Sequence, residues 1–152
     1  MKQLDTFYNN ELLTGMAILA VLREKKKLEI SKALLIHSIL SYKGITEFLK
    51  DKRTKIRSIE ELIVKRNIAF TNFNKRYLED LELSINAIFL FKQLGLLDLV
   101  NNELVYLEGD FDFKNKTLGK RALDIIEASF NLANILEKED ASNLYLSLRI
   151  EL

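Results

Sequence analysis

The stretch "LGLLDLVNNELVYLEGDFDF", Leu94 to Phe113, decides how the chain folds. Two short alternating runs meet at Asn101-Asn102, a pair suited to the positive φ angles of a two-residue hairpin turn. With that turn, Val100 opposes Glu103, Leu99 opposes Leu104 and Leu97 opposes Tyr106. One face then carries Leu97, Leu99, Leu104 and Tyr106, and the other shows Asp98, Val100, Glu103 and Val105. Upstream, a helical run over Leu83–Leu94 with Ile85, Ile88, Phe89 and Phe91 stops at Gly95, the residue type that most readily ends a helix. Helix, glycine, hairpin is how a winged helix looks in one dimension, and winged helices usually bind DNA. Yet from Gln93 to Phe113 there are five acids and no Lys or Arg, which sets this wing against a polyanion.

The rest of the chain reads as helices. Asn10 is a plausible N-cap for a helix through "ELLTGMAILAVLREKKK", whose Met16–Leu22 segment is apolar on every side and should be central. A second apolar helix spans about Ile30–Tyr42, and Gly44 separates it from a short one near Ile45–Lys50. "KDKRTKIR", Lys50–Arg57, reads as a basic loop, and Ser58 with Glu61 forms a capping box for a helix of two or three turns. Phe70, Phe73, Tyr77 and Leu81 suggest a further helix over Ala69–Leu81.

From about Thr117 to Lys138 a long amphipathic helix has Lys120, Asp124, Glu127, Asn131, Asn134 and Lys138 on its wet stripe. Leu118, Ala122, Ile125, Ile126, Leu132 and Leu136 lie on its dry side. In the tail the period changes to two, with Leu144, Leu146, Leu148, Ile150 and Leu152 pointing one way and Tyr145, Ser147, Arg149 and Glu151 the other. That pattern predicts a strand. The strand either completes a three-stranded wing sheet or pairs with a sheet edge of a partner. The expected fold is mainly α: a single compact helical domain over 1–152, with a winged-helix-like β-hairpin and a C-terminal strand.

Composition excludes several functions. The 152 residues contain no Cys and no Pro, so disulfides, thiolate catalysis and Cys-based metal sites are ruled out and long helices are favoured. The polar start "MKQLDTFYNNELL" lacks a signal-peptide core and no apolar run reaches a membrane span, so a cytoplasmic protein is expected. The net charge of +1 hides an asymmetry. Residues 23–76 hold fifteen Lys/Arg against six Asp/Glu, whereas residues 77–113 hold one Lys against eight acids. The two halves either neutralise each other in the fold or form two faces for two partners.

No catalytic constellation emerges. His37, the only histidine, sits in "LLIHSIL" and reads as a satisfied core or interface residue rather than a base or ligand. Asp110 and Asp112 alternate across "GDFDF" but lack the third and fourth oxygen ligands that a hard cation needs. There is no phosphate loop, HExxH or nucleophile elbow. The expectation is a protein that is not an enzyme, with no cofactor or metal.

Several segments together resemble a known family: "FYNNELLTGMAIL", "KALLIHSIL", "KDKRTKIRSIEELIVKRN", "LELSINAIFLFKQLGLL", "NKTLGKRALDII" and "LYLSLRIEL". In this order, over nearly the whole chain, they are similar to the middle component of bacterial three-component ABC-ATPase systems, anti-phage conflict systems related to those called Lamassu. The resemblance implies a small non-catalytic adaptor that bridges or regulates an SMC-like ABC ATPase and a toxic effector of the same operon. It carries over no catalytic residues.

The residues expected to meet partners come from the sequence itself. They are Lys50, Lys52, Arg53, Lys55 and Arg57 of the basic loop, for an acidic protein surface or DNA held by the ATPase. To these are added Asp98, Glu103 and Glu108 of the wing, and Tyr145, Ser147 and Arg149 on the tail's outer face. The rival expectation is a winged-helix DNA-binding regulator acting alone, like an antitoxin repressor.

Overall fold

In the computed structural model the backbone is described for residues 2–151 and the side chains for residues 10–151. Helix α1 (Lys2–Lys25) is the axis of the molecule. Its Met16–Leu22 segment is buried on all sides, as an all-round apolar helix must be. Asn10 therefore lies within α1 rather than capping it. The helix stops where Lys26 turns to φ 71° while its N–H still reaches the Leu22 carbonyl at 2.7 Å.

Strand β1 (Lys27–Glu29) follows, with only Leu28 facing inward, and leads into α2 (Ile30–Leu40) and α3 (Lys43–Lys50). Gly44 lies inside α3 and not between the two helices. The predicted loop occupies 51–58. Helix α4 (Ile59–Lys65) then begins at Ser58, whose hydroxyl accepts the Glu61 N–H at 3.1 Å. The return arm of the capping box lands one residue early, because the Glu61 carboxylate accepts the Arg57 N–H at 2.8 Å.

A 3-10 turn over Asn67–Phe70 precedes α5 (Phe73–Gln93). The two helices expected over 69–81 and 83–94 are thus one. Asp80 accepts the Ser38 hydroxyl at 3.2 Å from the middle of this continuous helix. Helix α5 closes at Gly95 (φ 74°), with the Leu96 N–H bonded to the Phe91 carbonyl at 3.1 Å.

Strands β2 (Leu97–Val100) and β3 (Glu103–Tyr106) form the hairpin in the register read from sequence: Leu97↔Tyr106, Leu99↔Leu104 and Val100↔Glu103. Both turn asparagines have positive φ, 50° and 67°. The sheet has three antiparallel strands in the order β1-β3-β2. Its third member is β1, which sets Leu28 opposite Leu104, and not the C-terminal tail.

After a 3-10 turn at Lys116–Leu118, α6 (Lys120–Lys138) packs along α1 and α3 with its predicted dry side inward. The tail corrects the expected strand. It forms α7 (Ala141–Ser147), because Leu144 and Leu148 are four apart and share a helix face, and both are buried. The alternation that suggests a strand is also satisfied by that spacing. A helix-ending turn follows, with Arg149 at φ 58° and the Ile150 N–H on the Tyr145 carbonyl at 3.1 Å. Inside the sheet, β3 already has a neighbour on each side.

One close approach fixes how α1 meets α5. Gly15 is seated against the ring of Phe91, and a Cβ at this position would enter that ring. Alanine is the better helix former by about 1 kcal/mol. Gly15→Ala should nonetheless destabilise the protein by roughly 1–3 kcal/mol through overpacking, read from a urea unfolding midpoint. An unchanged or raised midpoint would mean the two helices are not held at this distance.

Candidate protein-binding surface

Helix α5 buries Phe73, Tyr77, Ser84, Ala87, Ile88 and Phe91 against the core. On its opposite side Leu78, Glu82, Ile85 and Phe89 follow at helical spacing. Here Leu78 is 47%, Ile85 37% and Phe89 55% exposed. Flanking them, Lys75 pairs loosely with Glu79 at 3.9 Å in full solvent, and Lys92 lies in the last turn. Three large apolar side chains in one outward row on a single helix are more than scattered surface residues. Sequence reasoning counts Ile85 and Phe89 as core periodicity and passes over Leu78. The available signal was that α5 carries more apolar positions than one face can bury.

The hairpin turns Leu97 and Leu104 inward, leaving Asp98, Glu103 and Val105 on its other face. The Asp98 carboxylate accepts its neighbour Leu99's N–H at 2.8 Å. Glu103 stands directly across from Glu29, a like-charge pairing that a sheet disfavours. Glu29 is partly offset by Lys32 at 3.7 Å. Glu108 is exposed just past the strand. Asp112 accepts the Lys114 N–H at 2.9 Å, and among the described residues no group of three or more acids or histidines is placed to hold a metal ion.

The basic loop is partly neutralised from within. Lys50 bridges Glu47 at 3.0 Å and Asp124 at 3.3 Å, and its hydrogen bond to Glu47 raises its pKa. Arg53 grips Asp51 with two nitrogens, at 3.2 and 3.1 Å, and that pairing holds the Asp51 carboxyl below its ordinary range. Lys52, Lys55 and Arg57 remain exposed.

The tail residues expected on one outer face are separated by the helix. Tyr145 points inward: its hydroxyl donates to the Ser31 carbonyl at 2.6 Å and meets the Tyr77 hydroxyl at 3.0 Å, with the two rings edge to face. Burial, followed by that bond to Tyr77, pushes the Tyr145 phenol far above its ordinary pKa. Ser147 donates to Glu60 at 2.9 Å, and of the three only Arg149 is exposed.

His37 belongs to a polar seam between α1, α2 and α5. Its Nδ1 lies 3.1 Å from the Thr14 hydroxyl and its Nε2 3.9 Å from Asp80. Burial lowers its pKa despite the nearby Asp80 carboxylate, so the ring is neutral at pH 7. Arg76 crosses the same seam, donating to the Ala69 and Ser38 carbonyls at 2.7 and 3.0 Å.

Among the described residues no helix is long and apolar enough to cross a membrane. Compared with protein-family models, curated proteins and solved structures, the chain matches none.

Proposed function

We propose that the chain is a non-catalytic accessory subunit that bridges or regulates an SMC-like ABC ATPase and a toxic effector in a cytoplasmic anti-phage complex. The observation that carries this reading is the outward row Leu78, Ile85 and Phe89 on α5. The order α1–β1–α2, then α5 and the β2–β3 hairpin, with strands arranged β1-β3-β2, supports a winged-helix reading with α3 and α4 inserted ahead of α5. In DNA-binding helix-turn-helix proteins the corresponding helix enters the major groove, where phosphate contacts require Lys and Arg. Here that helix offers leucine, isoleucine, phenylalanine and Glu82, with acids on the hairpin behind it. Such a face suits a protein partner with its own apolar core and a basic rim.

The strand order alone favours the second reading, a winged-helix DNA-binding regulator. Co-purification of the tagged protein from its native operon separates the two. An ATPase with a long coiled coil in the eluate supports the subunit reading. A lone protein that binds bare duplex DNA through α5 overturns it.

A further inference from the structure

The two basic runs of the chain, 23–27 and 50–57, are distant in sequence but meet at one groove of about 690 Å3 beside α6. That volume lies within the range of about 300–1,000 Å3 typical of small-molecule sites. From the first run comes Arg23, whose guanidinium stacks on the ring of Phe113 at 4.0 Å. From the second come Lys50, already engaged by Glu47 and Asp124, and Lys52. Lys114 adds a further cation, and among the described residues neither it nor Lys52 forms an ion pair. Two acids line the same groove: Glu24, which sits 3.7 Å from Arg23, and Glu127. The wall is apolar at Ile126 and at Phe130, which is 56% exposed in this groove.

An exposed aromatic ring that shares a groove with unpaired lysines suits a ligand with a flat ring at one end and an anion at the other. We propose that this groove binds a nucleotide unit, its base stacked on Phe130 and its phosphate held between Lys52 and Lys114. Aromatic stacking combined with a cationic track is how proteins hold single-stranded nucleic acid without reading its sequence. Neither feature depends on the protein partner proposed for α5.

Fluorescence anisotropy with a short labelled oligothymidylate tests the site on the full chain, with AMP and a duplex as competitors. Phe130→Ala should weaken binding about 5- to 150-fold, the loss of one stacked base. Phe130 is more than half exposed, so the variant should keep the wild-type circular dichroism and melting curve. Joint replacement of Lys52 and Lys114 by alanine should reduce the slope of log affinity against log salt by about 0.7, the release expected for one single-strand phosphate contact. Displacement by AMP supports the site as one for a free nucleotide, and displacement only by unlabelled single strand supports a site for the polymer. Absence of oligothymidylate binding, displacement by the duplex as readily as by unlabelled single strand, or binding that neither set of substitutions weakens, overturns the proposal.

Discussion

Leu144→Ala lowers the stability of the protein by roughly 2–5 kcal/mol, whereas Leu146→Ala leaves it within about 0.5 kcal/mol of wild type. The contrast follows from a helical tail. On α7 Leu144 is fully buried and Leu146 is 75% exposed, so one truncation opens a cavity and the other removes a solvated side chain. On a strand the two leucines would share a face and their losses would be similar. Urea denaturation of both variants, with matched slopes, measures the difference. Similar losses for the two would refute the helix. The Tyr145 hydroxyl, bonded to Ser31 and Tyr77, holds the same segment to α2 and α5.

If α5 is the proposed protein-binding face, Phe89→Glu should weaken partner capture without affecting the fold. Its side chain is more than half in water, so the substitution should shift stability by no more than about 0.5 kcal/mol. Within the proposed apolar row, a new carboxylate should weaken the complex by at least about 30-fold, equivalent to roughly 2 kcal/mol or more at an interface anchor. Ile85→Glu should act in the same way, and Lys75→Glu at the exposed edge should have a much smaller effect. Co-purification and a thermal melt on the same samples separate lost binding from lost folding. Undiminished capture by a folded Phe89→Glu protein would remove α5 from the interface.

Particular residues explain what was legible in the sequence. The hairpin could be read to the register because Asn101-Asn102 fixes the turn and the pleat repeats every two residues. The central helix could be read because seven consecutive apolar residues leave no wet side. Strand β1 could not be read: three residues, "KLE", sit inside a run of charges and become a strand only because β3 offers an edge. The tail misled because Leu144 and Leu148 satisfy both periods, while Leu146 between them fits only the period of two and lies exposed on the helix. The residue that ends its helix in the left-handed region is Arg149, not the glycine or asparagine that would mark the stop. The α5 surface was hidden for a different reason. Periodicity marks which residues are apolar, while the depth of packing on each side of a helix is settled by the neighbours that fold against it.

The sheet also constrains the order of assembly. The hairpin closes over two residues and can form in about 1–10 μs, but β1 reaches β3 only when the chain from Glu29 to Glu103 has been gathered, an entropy cost that local turns do not bear. The expected order therefore places the joining of β1 late on the folding pathway, after the barrier. In a stopped-flow chevron, Leu28→Ala should steepen the loss of native protein by accelerating unfolding while leaving the refolding limb nearly unchanged. The strand invisible in the sequence would then act as a clasp: it contributes little to how fast the protein is made and much to how long it lasts.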